Sequence, residues 1–192
     1  LGENGLQYFD VVTGVDVGKN NELVHGELKA RVTKDFVPLS FSKNTSLEAE
    51  VVFVGYGFQV KNDSLEWDDY KDVDVKGKWV IIFRGEPDEE NTSSPFVSNM
   101  GLREKVLTAK DNGAGGVLFV SGVDFDKDDA LVKMFYDKTT ADVGIPVFHV
   151  KRKFINVVIG QPVAELDIAN LEKRIKESYK PYSFNTRAAL KG

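Results

Sequence analysis

Two histidines and several runs of carboxylates are the raw material for chemistry in this chain. His25 lies in His25-Gly26-Glu27 and His149 in His149-Val150-Lys151, far apart in sequence. A zinc site draws three or four ligands and is usually announced by clustered spacing. Neither histidine sits in such a cluster. His149 alternates with Phe148 and Val150, which reads as a histidine satisfied within a sheet or one at its surface. The absence of cysteine excludes disulfides, zinc thiolates and thiol nucleophiles. No Gly-x-Ser-x-Gly elbow occurs, and no motif joins a serine to a histidine and a carboxylate.

The carboxylates form two groups. Glu66, Asp68, Asp69, Asp72 and Asp74 would suit acid–base work by paired acids, but no other catalytic group accompanies them. A solvated acidic loop is the expected reading. Asp124-Phe125-Asp126-Lys127-Asp128 begins like a calcium loop. It then departs, with Asp129 where glycine is needed and Phe135 where the bidentate glutamate belongs. A solvated loop is again favoured, with weak calcium binding as the alternative. Gly113-Ala114-Gly115-Gly116 follows a helix and precedes a strand, the reverse of a phosphate cradle, so these glycines cap and pack. Asn44-Thr45-Ser46, Asn62-Asp63-Ser64 and Asn91-Thr92-Ser93 fit the N-glycosylation pattern, which matters only in a secretory eukaryote.

The elements that would position these groups follow hydrophobic period and turn chemistry. Glu50 to Phe58 and Trp79 to Phe83 are nearly continuous apolar runs, as expected of strands buried on both faces. Leu102, Val106 and Ala109, widened by Leu107, make a helical stripe over 102–112, capped by Ser98 or Asn99 and ended by Gly113. Val117 to Val120 is then a parallel partner of Trp79 to Phe83, with that helix as the crossover. Ile145 to Val150 is a further strand; Phe154 to Ile159 has the β-branching of a strand but no clear partner left, which favours a short helix. Ala164, Ile168, Leu171 and Ile175 set an amphipathic helix over 167–178, stopped at Lys180-Pro181. Leu6 to Val12 and Glu27 to Val32 suggest a ribbon turning at 18–21. The stretch 36–46 reads as an extended linker and 62–70 as a loop with a helical turn at Trp67-Asp68-Asp69-Tyr70, aromatics inward. Residues 85–99 and 122–144 read as long exposed loops, and 183–192 as a segment leading out.

The 192 residues are 42% hydrophobic, enough to bury a core. With 30 acidic and 25 basic residues the formal charge is −5, and the densest basic run is only Lys151-Arg152-Lys153. That balance argues against a nucleic-acid partner. No apolar run is long enough to span a bilayer. The chain opens Leu1-Gly2-Glu3-Asn4, without methionine or an apolar leader, as expected of a piece of a longer protein with any signal upstream.

The ordered set "EVVFVGYG", "DDYKDVDVKGKWVIIFRGEP", "REKVLTAKDNGAGGVLFV" and "IPVFHV" resembles the protease-associated (PA) domain. The telling pieces are Lys76-Gly77-Lys78 before a strand ending Arg84-Gly85, then Lys105 and Ala109 before Gly113-Ala114. Leu6 to Phe9, Asp35 to Pro38 and Lys180 to Phe184 look like segments bracketing this insert in secreted zinc aminopeptidases of the aminopeptidase Y and glutamate carboxypeptidase clan.

The resemblance implies an α/β fold: a swivelling β/β/α domain, with a mixed sheet, a crossover helix, a small β ribbon and a C-terminal helix. It implies a lead-in over 1–47, a PA core over 48–160, a packing helix over 161–180 and an exit over 181–192. The implied module does no hydrolysis itself. It covers the active site of a parent zinc aminopeptidase, secreted or periplasmic, and controls access of peptide or protein substrates or mediates protein contacts. Zinc belongs to the parent's catalytic part, whose His-x-Asp motif, acidic ligands and glutamate base are not found here; no cofactor is expected in this chain. Many PA domains carry a cysteine in the loop equivalent to 86–99; this one does not. A contact patch is expected at Leu131, Met134, Phe135 and Tyr136. Two other readings stand beside this one: a free-standing interaction or cargo-binding PA module, and a small hydrolase acting alone. An insert would bring Leu1 and Gly192 out on one side.

Overall fold

A computed structural model describes residues 16–62, 65–89, 91–134, 141–160 and 166–192. The strands are β1 (Val24–His25), β2 (Leu28–Lys29), β3 (Phe36–Pro38), β4 (Glu48–Val54), β5 (Gln59–Lys61), β6 (Glu66–Asp68), β7 (Trp79–Phe83), β8 (Gly116–Val120), β9 (Val147–Val150) and β10 (Ser183–Lys191). The helices are α1 (Leu102–Asp111), α2 (Arg152–Ile159) and α3 (Ile168–Ser178), with a 3-10 turn over Val97–Asn99. Eight strands share one mixed sheet in the order β2-β1-β10-β4-β7-β8-β9-β3. Its centre, β4-β7-β8-β9, is parallel, while β10 and β3 run antiparallel on either side.

Alternating side chains build two cores. Val51, Phe53, Trp79, Ile81, Phe83, Leu118 and Val120 face Phe154, Ile155, Val158, Leu171 and Ile175 of α2 and α3. Val52, Val54, Val80, Ile82, Val117 and Phe119 face Val106 and Ala109 of α1. Both faces are therefore covered, which is why the central strands lack polar alternation. Each buried Val, Ile, Leu or Phe stabilises by about 1.5–3 kcal/mol relative to exposure. Gly113 has φ +92° just past α1, as its position predicts. A Cβ on Gly116 would lie 2.5 Å from the Trp79 ring, so this glycine is a packing requirement. Asp167 caps α3 by accepting from Asn170 N.

Several elements differ from expectation. The supposed linker residues Phe36–Pro38 are an edge strand paired with β9, where proline does not interrupt a ladder. The supposed outgoing segment, 183–191, is a nine-residue strand between β1 and β4. Thr186, Ala188 and Leu190 point inward there, and small or polar inward residues weakened the periodic signal. The ribbon is β1–β2 about Gly26, φ +57°; Leu6 to Val12 lies outside the described residues. Trp67 belongs to a β5–β6 hairpin rather than a helical turn, although Trp67 and Tyr70 are buried as expected. Gly101, not Ser98 or Asn99, begins α1, and no side chain caps it. Leu107 is 40% exposed, and the stripe instead takes in Lys105.

The segments on either side of the central region meet. Leu47 N donates to Gly192 O at 2.8 Å and Gly192 N to Leu47 O at 2.9 Å. Residues 18–22, 42–46 and 191–192 line one open cleft of about 630 Å³ beside this pair. Leu1 lies outside the described residues.

Candidate functional site

Lys105 is fully buried on α1. Its Nζ donates to Phe83 O at 2.9 Å and to Gly85 O at 2.5 Å. It also stands 4.3 Å from the Phe58 ring centroid and 5.4 Å from that of Tyr56. Two carbonyls and an aromatic face give three electron-rich partners, matching the three N–H bonds of an ammonium. Burial works the other way and pulls the amine down to about 7, against the attraction of Asp69, Glu86 and Glu89.

Asp69 is a second buried ionisable group whose charge acts on Lys105. It is one of the five clustered carboxylates, and the structure separates it from the rest: Glu66, Asp72 and Asp74 are exposed, while Asp69 is buried. Phe58 N donates to Asp69 Oδ2 at 2.9 Å, and Ser183 Oγ donates to Asp69 O at 2.6 Å. Burial pushes the carboxyl up to about 7, against hydrogen bonding from Phe58 N and the Trp67 indole. The solvated-loop reading is thus corrected for Asp69: the β5–β6 hairpin folds it inward.

The loop expected over 85–99 is only partly exposed: Glu86, Pro87, Ser94 and Phe96 are buried, while Glu89, Asn91 to Ser93, Val97 and Ser98 face solvent. Phe96 is fully buried and stacks on Phe58 at 4.7 Å, with its ring edge to Trp67 at 5.0 Å. Ser94 Oγ donates to the buried Glu86 carboxylate, whose proton affinity burial raises. Gly85, φ +74°, turns the chain out of β7, and a Cβ there would meet Glu89 and Phe125.

At the carboxyl ends of β8 and β9 the structure pairs a serine with a histidine that no motif linked. Ser121 Oγ and His149 Nε2 are 3.2 Å apart, both residues fully buried. Val132 N donates to His149 Nδ1 at 3.0 Å, so the ring proton lies on Nε2 and points at the serine. Arg84 Nη1 donates to the same hydroxyl at 3.1 Å. Burial pulls His149 down to about 3. A neutral imidazole donating to Ser121 cannot take its proton, so this pair is not an activated nucleophile. Of the two readings of His149, the satisfied sheet histidine is correct.

The acidic loop after β8 is held from within. Glu172 of α3 accepts from Val123 N at 2.5 Å and Asp124 N at 3.1 Å. Arg152 of α2 donates to Gly122 O, Asp126 O and Lys127 O. Asp126 accepts from Asp128 N and Ala130 N, and Asp129 accepts from Arg152 N. Asp129 adopts φ +52°, the left-handed conformation for which a calcium loop uses glycine. Among the described residues no three His, Asp or Glu side chains converge as metal ligands. Their arrangement does not fit zinc. Leu131 and Met134 of the expected contact patch are half-buried; Phe135 and Tyr136 lie outside the described residues. No described helix is long and apolar enough to cross a membrane.

Residues 47–157 match the model of the PA domain. The chain belongs to the PA domain family. Its fold is similar to part of the aminopeptidase from Aneurinibacillus sp. strain AM-1, at TM-score 0.51 and 17% identity, over 94% of this chain and 34% of that one. A zinc aminopeptidase from Bacillus subtilis gives TM-score 0.47 and 19% identity over 88% and 28%. The peptidase M28 precursor from Shewanella amazonensis SB2B gives 0.35 and 10% over 88% and 32%. This PA domain chain thus spans about a third of the length of those proteins or less. At such identities the likeness is one of fold. No curated protein matches the chain. Within this PA domain the structure brings together Lys105, noted in the sequence only as part of the family motif, and Asp69, noted only as one of five clustered carboxylates. The signal for Lys105 was its place three residues after Leu102 and four before Ala109 on the helix; Asp69 had the flanking Trp67 and Tyr70 as its signal.

Proposed function

We propose that this PA domain is a non-catalytic module of a secreted or periplasmic zinc aminopeptidase, covering its active site and governing which substrates or partner proteins reach it. The observation that carries this reading is the reciprocal Leu47–Gly192 pair. The chain running into the family-matched region and the strand returning from it lie side by side; β1 to β3 precede this point in the same sheet, so an insert would take them in as well. The likeness in fold to part of an aminopeptidase supports the same reading. Binding work falls to loops on a rigid sheet, here 86–99 and 122–144. Leu131 and Met134, with Phe135 and Tyr136, are the proposed patch for the catalytic domain or substrate. Zinc would be held by that catalytic domain, and no step of hydrolysis passes through residues of this chain.

The test has two arms. The purified chain, with and without added zinc, is expected to leave aminoacyl-nitroanilides uncut and to retain no zinc after dialysis. The reading frame beyond Gly192 is expected to encode a zinc peptidase. Turnover or tightly held zinc in the isolated chain overturns the non-catalytic role. A stop codon at that point, with an unaltered lack of turnover, overturns the aminopeptidase parentage in favour of a free-standing binding module.

A further inference from the structure

The cleft beside the Leu47–Gly192 pair carries charge against the trend of the chain. The chain as a whole is acidic, at −5. The cleft, about 630 Å³, is lined by three lysines, Lys19, Lys43 and Lys191, and by one carboxylate, Glu22. That carboxylate is already paired, with Lys29 at 2.8 Å and with Lys191 at 3.3 Å. Lys19 and Lys43 are exposed, one on each wall, and neither ammonium forms an ion pair or hydrogen bond among the described residues.

Both walls, residues 18–22 and 42–46, are backbone outside any strand or helix. The second wall is tied at its ends. Val147 N donates to Ser42 Oγ at 2.8 Å and Lys43 N to Ile145 O at 3.1 Å, while Leu47 is held by Gly192. Between these ties Asn44, Thr45 and Ser46 are exposed and donate no hydrogen bond, by backbone or side chain, among the described residues. A ligand can take such donors without breaking any bond of the fold. Phe148, stacked on Trp79 at 5.7 Å, lines the same cleft and adds an apolar contact. A recess of about 180 Å³ shares Gly18, Asn21, Ser42 and Asn44 with the cleft and reaches Met134. Together the two are larger than a small anion needs, and their long walls suit an extended chain. Asp16 lines the recess alone, so anionic groups belong at the cleft end.

We infer that this cleft is a seat for an acidic, extended peptide segment. Its carboxylates would lie against Lys19 and Lys43, and its backbone carbonyls would accept from residues 44–46. The seat belongs to this chain alone and holds whether or not a peptidase follows it.

Titration of the whole chain with hexaglutamate at low salt, followed by amide NMR shifts, tests this. Shifts are expected to be confined to residues 18–22 and 42–47 and to weaken as salt is raised. Hexalysine should produce none. The double variant Lys19→Glu with Lys43→Glu should bind hexaglutamate about tenfold or more weakly. The matching reversal of two exposed lysines outside the cleft, Lys71→Glu with Lys180→Glu, should change binding by no more than about twofold. No binding, or shifts scattered over lysines around the whole surface, overturns the seat. So does an equal loss in the two double variants, or an identical shift pattern from inorganic phosphate at the same ionic strength, which would mark a small-anion sink only. The shift map of the native chain decides the matter should a variant not fold.

Discussion

Thr186 Oγ donates to Val51 O at 2.8 Å, binding the last strand to the first central one at the point where their ladder is interrupted. The register slips between Asn185 and Ala189, and Arg187 takes φ +62° inside the bulge. The hydroxyl also accepts from Ala188 N at 3.2 Å. One side chain thus satisfies both a carbonyl and an amide that the bulge would leave stranded. Thr186→Val keeps the shape and removes the oxygen. It should destabilise by about 1–3 kcal/mol, read as a lower urea midpoint at unchanged m-value.

Lys105→Met tests the buried ammonium thermodynamically. Two carbonyls, Phe83 O and Gly85 O, lose their donor, while the aliphatic stem is kept. A loss of about 2–4 kcal/mol is expected from the unpaired acceptors, offset in part by relief from burying a charge. Chemical denaturation of the variant beside the native chain measures it. An increase in stability would show that desolvation outweighs the cradle.

Asp69 and His149 set opposed pH dependences. The folded carboxyl is raised to about 7, so its contribution is complete below the unfolded value near 3.8 and is lost as pH climbs towards 7. The folded imidazole is lowered to about 3, so its contribution is complete above the unfolded value near 6.5 and is lost as pH falls towards 3. Between roughly pH 4 and 6.5 the two slopes offset each other. Asp69→Asn should leave a chain that weakens more steeply on acidification through this window. His149→Gln, which retains a donor and an acceptor, should strengthen on acidification there. Urea midpoints across the window measure both slopes.

Thr33 holds φ +64°, a conformation costly for a β-branched residue. Its amide donates to Phe36 O, a bond that glycine preserves. Thr33→Gly should therefore gain about 1 kcal/mol, seen as a higher thermal midpoint. Gly116→Ala should do the reverse, since its methyl would press on the Trp79 ring at 2.5 Å. An overpacking cost of about 1–3 kcal/mol is expected.

The parallel centre of the sheet was legible in the sequence because burial on both faces leaves continuous apolar runs, as at Trp79 to Phe83. Helices α1 and α3 were legible from their stripes, and Gly113 from the turn it permits; the β-branched residues of α2 suited a strand as well, and only the want of a partner strand favoured a helix. β10 was not, because its inward positions, Thr186 and Ala188, are small or polar. β3 was hidden by Pro38, which is harmless at an edge. The burial of Lys105 and Asp69 escaped for one shared reason: an ionisable side chain is ordinarily solvated, and only tertiary packing brings Phe58, Phe96 and Trp67 over them. The Ser121–His149 contact joins the residue just past β8 to one on the neighbouring parallel strand β9, so no linear motif could announce it.

Glu172 and β10 both lie beyond the stretch that matches the family. Yet Glu172 anchors the amides of Val123 and Asp124, and β10 flanks β4 along its outer side. A graft cut at residues 47 and 157 would therefore carry a frayed acidic loop and a naked hydrophobic margin, inviting self-association. Anyone transplanting this module into another host would have to bring the tail through Lys191 along with it.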